Sequence, residues 1–223
     1  MNHLNFNLAL KHDKRTYWAY YASLLRTKHA IVFSFCNNDD YNVPIIKMDL
    51  FFINFALEFA VNALFFNDKT MHKLYEDEGK FDFIYQLPQI LYSYLISIII
   101  GMPLEILALS QDNISDFKEK RIKKFVNKRA KNLRFKLKIK FIFYFIISTI
   151  FLLSFWYYLS MFCAVYKNTQ LHLIKDTLIS FALSCLYPFV YYLFPGLFRI
   201  PSLSNKKGGR KCFYFMSKVL QFF

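Results

Sequence analysis

The chain has 223 residues, of which 56% are hydrophobic and 21% aromatic, and its formal net charge at pH 7 is +14. An average soluble domain is about 45–50% apolar, and the apolar content here excludes an intrinsically disordered chain. Apolar blocks together with a strong positive charge favour a membrane protein that faces anionic lipid over a nucleic-acid-binding protein.

The N-terminal segment, residues 1–44, is predicted to be cytosolic or interfacial. It begins without an apolar core, so no cleavable signal peptide is expected. Its aromatic stretch, residues 16–36, is interrupted by Arg26, Lys28 and His29. A span here would bury two cations, at about 2.5–3.5 kcal/mol each. We therefore expect one or two amphipathic helices that lie in the membrane interface; a packed cytosolic helix is the alternative.

Four apolar blocks reach the length of roughly 20 residues that is needed to cross about 30 Å of hydrocarbon. We place these spans at about residues 45–66, 84–104, 141–165 and 178–198. Pro188 lies in the middle of the fourth block and predicts a kink there. The predicted fold is all-α, a helical membrane bundle of four transmembrane helices with an N-terminal interfacial amphipathic helix. The bundle occupies residues 45–199.

The distribution of positive charge predicts the orientation of these spans. The 29 Lys and Arg residues lie in the N-terminal segment, the loop 105–140 and the C-terminal end, with five exceptions. The exceptions are Lys69, Lys73, Lys80, Lys167 and Lys175. Because cytoplasmic segments carry the Lys and Arg excess, we predict an integral membrane protein with both termini in the cytosol and a basic cytosolic tail at 200–223. The sequence does not indicate which membrane.

The densest basic run, residues 118–140, directly precedes the third span. Apolar residues approximate one helical face as far as Leu133, whereas from Arg134 onward apolar and basic residues alternate and fit a helical stripe poorly. Each cation near an anionic leaflet contributes about 1 kcal/mol, so we expect the run to bind anionic lipid; a purely topogenic role is the alternative. The predicted lipid-binding residues are Lys118, Lys120, Arg121, Lys123, Lys124, Lys128, Arg129, Lys131 and Arg134.

The first span carries a polar stripe, Asn54, Glu58 and Asn62, at every fourth residue. A carboxylate within a span is costly, so it should face protein or a water-filled cavity. The stripe predicts either an ion or proton pathway or a buried hydrogen-bonded seam that fixes helix packing or a subunit interface. Candidate partners on other spans are Gln86, Gln89, Ser180 and Ser184.

No catalytic or metal-binding motif is recognisable. The cysteines, Cys36, Cys163, Cys185 and Cys212, form no CxxC pair, so neither a disulfide nor a zinc site is expected. A membrane-bound lipid enzyme would depend on His172 and Asp176 alone, and capping of the fourth span by Asp176 or Thr177 is the simpler interpretation. We expect no catalytic residues, no metal and no cofactor, which makes a non-enzymatic role more consistent with the sequence.

Three stretches, residues 61–93 (VNALFFNDKTMHKLYEDEGKFDFIYQLPQILYS), 163–189 (CAVYKNTQLHLIKDTLISFALSCLYPF) and 195–203 (PGLFRIPSL), carry a resemblance as a set. They resemble a multi-pass region near the C-terminus of large uncharacterised membrane proteins of ciliates and other protists. The resemblance implies a membrane-embedded module that normally follows other domains, and it implies no activity.

These observations favour a structural function. We expect a membrane-embedded anchoring or organising subunit that assembles with copies of itself or with other membrane proteins. We expect it to bind anionic lipid and not to bind nucleic acid. The alternative is a channel or transporter subunit that uses the stripe of Asn54, Glu58 and Asn62.

Overall fold

The structure, a computed structural model, describes residues 4–37, 39–76, 83–119, 126–167, 169–204 and 211–222. These residues are helical with short connections and contain no strand, so the all-α prediction is confirmed for them. In chain order the helices are α1 (Phe6–His12), α2 (Tyr17–Lys28), a π-helical turn (Val32–Cys36), α3 (Pro44–Leu64), α4 (Asp68–Glu76), α5 (Phe83–Ala108), α6 (Gln111–Glu119), α7 (Val126–Val165), α8 (Gln170–Tyr191), α9 (Leu193–Ser204) and α10 (Lys211–Phe222).

The chain divides into two compact units. Unit 1 combines Met1–Asn37 with Leu183–Phe223, and unit 2 is Asn38–Ala182. The sequence predicts three consecutive segments instead. The difference arises because α10 packs on α9 and α9 packs on α2, which joins the two ends of the chain in unit 1.

Three helical stretches are long and apolar enough to cross a membrane: Leu87–Ala108, Asn127–Val165 and Gln170–Ser204. They overlap the second, third and fourth predicted spans. The first predicted span is the helix α3, which carries Lys47, Asp49 and Glu58 and is not among the three.

The structure changes the expectation for the loop 105–140. α7 is a single helix of 40 residues that begins at Val126, and α6 covers Gln111–Glu119, so most of the predicted loop is helical. The alternating stretch after Arg134 is also helical. Lysine, arginine and leucine favour helices, and this part of α7 is largely exposed, so it needs no apolar stripe against a core: Phe135 is 64% exposed.

The fourth predicted span also differs in its bounds. α8 begins at Gln170 and continues through Pro188 to Tyr191, and α9 begins at Leu193. Proline lacks an N–H and cannot complete the hydrogen bond to the carbonyl four residues before it. The interruption, at Tyr192, follows Pro188 by four residues, which is about one turn, and does not lie at the proline itself.

The core of unit 2 forms around α3. One end of α3 packs against the end of α5 and against α7, through Ile46, Leu50, Ile53, Leu104, Ala108 and Tyr144. The other end contributes to a second cluster with Ala63, Phe66, Phe162 and Leu173. Because α3 contacts both α5 and α7, polar residues on its faces meet neighbouring helices.

Candidate functional site

The predicted polar stripe divides into two parts in the structure. Glu58 and Asn62 are buried, whereas Asn54 is exposed. The Asn54 side chain lies close to α5 at Gly101, where a Cβ added to the glycine would meet Asn54 Oδ1 at 3.1 Å. Only Glu58 and Asn62 are therefore buried in the interior of unit 2, and Asn54 lies on its surface.

Glu58 is joined to α8 by a hydrogen bond. The hydroxyl of Ser180 donates to Glu58 Oε1 at 2.7 Å, and both residues are buried. Ser180 was one of the candidate partners from the sequence. A hydrogen bond to a buried carboxyl lowers the cost of taking that polar group out of water.

Asn62 connects three helices. Its Nδ2 donates to Thr177 Oγ1 on α8 at 3.1 Å, and its Oδ1 accepts from Gln89 Nε2 on α5 at 3.1 Å. Gln89 was a candidate partner, whereas the side chain of Gln86 lies outside what the structure describes. Thr177 was missed as a partner, although its position three residues before Ser180 places both on one face of a helix.

Asp176 lies beside this polar seam. It is 1% exposed, and its Oδ2 has no hydrogen-bond partner in the described part of the chain. The expectation that Asp176 or Thr177 caps the fourth span is wrong, because α8 begins at Gln170 and both residues lie inside it. On α8, Asp176 lies between Leu173 and Ser180, which both contact partners from α3.

The two charged residues at the other end of α3 also have partners. Lys47 is 1% exposed and its Nζ lies 3.1 Å from Asp40 Oδ2. The Tyr144 hydroxyl donates to Asp49 Oδ2 at 2.8 Å. Every ionisable side chain of α3 is thus paired or hydrogen-bonded, which reduces the cost of surrounding this helix with an apolar medium.

The predicted lipid-binding residues are partly described. Lys128, Arg129, Lys131 and Arg134 are exposed on α7. Lys118 on α6 donates to the Tyr41 hydroxyl at 2.5 Å and lies 4.0 Å from the centre of that ring. Lys120, Arg121, Lys123 and Lys124 lie outside the described residues. In the described parts of the chain, no group of three or more His, Cys, Asp or Glu side chains could hold a metal ion.

Unit 1 contains a buried charged cluster that the sequence did not predict. Arg199 is fully buried and donates from Nε and Nη2 to Asp13 Oδ2, at 3.0 and 2.8 Å. Arg15 donates to both oxygens of the same carboxylate at 2.7 Å. The Arg199 guanidinium also lies 5.0 Å from the Tyr20 ring and 4.9 Å from the Tyr214 ring, a cation–π geometry.

The electrostatics of this cluster determine the pKa of Asp13. Burial alone would raise the pKa, but hydrogen bonds and charge from Arg15 and Arg199 outweigh it and lower the pKa from 3.8 to about 2. Asp13 is therefore ionised at neutral pH. The sequence shows that residue 199 is a cation, but it does not show that the side chain is buried. Nothing near Arg199 along the chain indicates that its partner is close to the N-terminus.

No protein-family model, no curated protein and no solved structure matches this sequence. The resemblance to protist membrane proteins stays a prediction, and function is argued below from the geometry alone.

Proposed function

We propose that the chain is a multi-pass membrane protein with a structural or organising role, which binds anionic lipid at the cytosolic surface through the first part of α7. The observation that carries this proposal is the continuity of α7. We name its residues 126–140 the basic half and its residues 141–165 the apolar half. Both belong to one helix without a break, and α7 contains no acidic residue.

The dimensions of α7 suit this arrangement. At 1.5 Å per residue the apolar half is about 37 Å long, which exceeds the hydrocarbon thickness of about 30 Å. The basic half extends about 22 Å further. Since the helix is continuous, the cations of the basic half begin where the apolar half leaves the hydrocarbon, at the level of the lipid head groups. Phe135 and Ile139 are exposed among these cations and can insert into the interface.

The side chains of the apolar half also support a lipid environment. Leu153, Trp156 and Tyr157 are each more than two-thirds exposed. Large apolar surfaces of this kind are unfavourable in water. In a bilayer they would contact acyl chains.

We include α3 as a fourth membrane helix in the proposal. Its charged residues have partners, and it packs against both α5 and α7. Four crossings return the chain to the side on which it began, in agreement with the predicted cytosolic position of both termini. Helix packing by hydrogen-bonded polar residues is a common arrangement in membranes.

The seam of Glu58, Asn62, Gln89, Thr177 and Ser180 favours the structural role over the channel or transporter role. Its polar groups are used in contacts between α3, α5 and α8. The alternative draws support from Asp176 Oδ2, which has no hydrogen-bond partner among the residues that the structure describes. Ion flux by the reconstituted protein that disappears in Glu58→Leu, with assembly intact, would establish the alternative.

Native mass spectrometry of the full chain, released from anionic and zwitterionic bilayers, tests lipid binding and copy number together. The test variant is Lys128→Gln/Lys131→Gln/Arg134→Gln. The matched control is Lys69→Gln/Lys167→Gln/Lys175→Gln, which removes the same charge from exposed lysines outside the basic run. Arg129 is left unchanged.

At about 1 kcal/mol for each cation, the test variant should lose up to roughly a hundredfold in affinity for anionic lipid, and the control variant much less. Equal losses in both variants would mean that net charge alone attracts lipid, and the proposed site would fail. A single copy in every sample would remove self-assembly from the proposal.

A further inference from the structure

The polarity of α10 is inverted relative to a helix on the surface of a soluble protein. Of its three buried residues in the described part of the chain, Ser217 and Gln221 are polar, and Tyr214 is an aromatic residue whose hydroxyl is hydrogen-bonded. Its exposed residues include Cys212, Phe213, Phe215, Met216 and Val219. A surface helix in water shows the opposite arrangement, with its apolar face toward the core.

The two faces of α10 follow helical spacing. Tyr214, Ser217 and Gln221 are separated by three and four residues and form the buried face. The opposite stripe, which we name the outer face, is Cys212, Phe215, Met216 and Val219, with the same spacing. Phe215 is 66% exposed. The outer face is therefore continuous along the helix.

Contacts on the buried face fix the rotation of α10 about its axis. The Tyr214 hydroxyl donates to the Leu4 carbonyl at 2.6 Å. The Tyr214 ring lies against Phe6, with 5.3 Å between ring centres, and against the Arg199 guanidinium. Turning the outer face inward would break these contacts and leave the guanidinium without one of its two aromatic neighbours. The outer face therefore stays exposed as long as unit 1 is folded.

The position of α9 identifies what covers the outer face. α9 ends the apolar stretch Gln170–Ser204, which is long enough to cross a membrane. α10 packs along α9, and the rings of Phe198 and Phe213 stack at 6.1 Å. At about 52 Å the stretch Gln170–Ser204 is longer than the hydrocarbon thickness of about 30 Å, so α9 lies at its end, near the bilayer surface. Phe194 and Leu197 are exposed on α9 and can contact acyl chains there, and α10, packed along α9, lies at a similar depth.

Length and charge define the kind of membrane contact. With 12 residues α10 is about 18 Å long, too short to cross about 30 Å of hydrocarbon. The sequence after the buried Arg199 has only basic charged residues: Lys206, Lys207, Arg210, Lys211 and Lys218. This charge complements anionic head groups.

We infer that α10 is a membrane-embedded helix that lies within one leaflet, with its outer face against acyl chains. This replaces the free cytosolic tail that the charge of residues 200–223 predicts. The inference rests on the membrane location proposed above. The experiment therefore includes a reporter on α7 that tests this location separately.

The experiment is spin-label accessibility on the full chain in lipid bilayers. Cys36, Cys163 and Cys185 are replaced by alanine, and a nitroxide is attached to the native Cys212. Collisions with oxygen, which concentrates in hydrocarbon, are compared with collisions with a water-soluble nickel chelate. Met216→Cys, in a chain that also lacks Cys212, provides a second label on the outer face. In the same chain without Cys212, Leu153→Cys reports on the apolar half of α7, and Lys69→Cys, at an exposed residue of α4, is the aqueous reference.

We expect the oxygen-to-nickel collision ratio at Cys212 and at Met216→Cys to exceed the ratio at Lys69→Cys by about tenfold, because a polar chelate is excluded from hydrocarbon. A high nickel collision rate on the outer face, with Leu153→Cys in lipid, would overturn the inference alone. Low collision rates with both oxygen and nickel on the outer face would show that protein, such as a second copy, covers it. This result would also overturn the inference. Nickel access at Leu153→Cys would refute the membrane location itself.

Discussion

Arg199 and Asp13 are 186 positions apart in the chain, and their side chains form a buried ion pair with 2.8 Å between Nη2 and Oδ2. The pair joins the connection between α1 and α2 to α9. Arg15 shares the same carboxylate, so one negative charge serves two cations. A buried pair adds little net stability, but removal of one partner leaves an uncompensated buried charge.

Asp13→Asn should destabilise unit 1 by about 3–5 kcal/mol, because it leaves the buried Arg199 guanidinium without a counter-ion. Arg199→Met should cost less, since Asp13 keeps Arg15. The chain has two tryptophans, Trp18 in α2 and Trp156 in α7. Denaturant titration of a Trp156→Phe protein in detergent therefore reports on unit 1 through Trp18.

The matched control is Asp116→Asn, an exposed carboxylate of α6 in unit 2. It should leave the Trp18 transition within about 0.5 kcal/mol of the parent protein. If Asp13→Asn and Arg199→Met were equally destabilising, Arg15 would not share the carboxylate in the way the structure shows.

The low pKa of Asp13 predicts that unit 1 loses stability in acid. The folded-state pKa of about 2 lies below the ordinary value of 3.8, so the unfolded chain takes up the proton first as the pH falls. The contribution, about 2 kcal/mol, is complete above about pH 5 and declines as the pH falls toward 2.

The same Trp18 titration between pH 6 and pH 2.5 measures this loss. Asp13→Asn should remove this part of the pH dependence, since asparagine does not titrate. A pH dependence that is unchanged in Asp13→Asn would assign the acid sensitivity to other carboxyl groups.

Comparison of the two clusters shows what the sequence can predict. The periodic spacing of Glu58 and Asn62 on an apolar helix indicates a buried polar face, and the structure supplies partners for it in Gln89 and Ser180. Arg199 has no comparable signal. Counting charges places it in the basic C-terminal part of the chain, and only the packing of α9 against α2 shows that it is buried.

The positions of the helices could also be predicted only in part. Apolar length located α5, α7 and α8, because a run of apolar residues is a local property. The helical stretch of α7 after Arg134 was missed because helical periodicity detects a face that packs against a core, and the residues around Phe135 are exposed. The outer face of α10 was missed because its cations suggested a solvated tail, whereas the inverted burial of α10 depends on contacts with Leu4 and Arg199.

The seam in unit 2 predicts a difference between two asparagines of the same stripe. Asn62→Leu removes two hydrogen bonds and leaves Gln89 and Thr177 without those partners, which should cost about 2–3 kcal/mol. Asn54→Leu changes an exposed side chain and should cost less than about 0.5 kcal/mol. Trp156 fluorescence in a Trp18→Phe background reports on unit 2. Equal effects of the two substitutions would show that Asn62 does not tie α3 to α5 and α8.

Close approach of α9 to α2 makes Gly196 sensitive to substitution. A Cβ on this residue would lie 2.6 Å from Tyr17 Cε2 and 3.0 Å from Tyr17 Cδ2. The Tyr17 ring cannot move away freely, because its hydroxyl donates to the Leu193 carbonyl at 2.8 Å. Alanine is favoured over glycine in a helix by about 1 kcal/mol, yet overpacking costs about 1–3 kcal/mol. Gly196→Ala should therefore destabilise unit 1 in the Trp18 titration.

Gly101→Ala is the matched substitution in unit 2, followed with Trp156. Its nearest neighbour is Asn54 Oδ1 at 3.1 Å, an atom of an exposed side chain that can shift. The gain in helix propensity should then equal or exceed the contact cost. For Gly196, the substitution Tyr17→Ala removes the ring, so Gly196→Ala should become neutral or stabilising in that background. If its cost persisted without the ring, close contact with Tyr17 would not be the reason for glycine at this position.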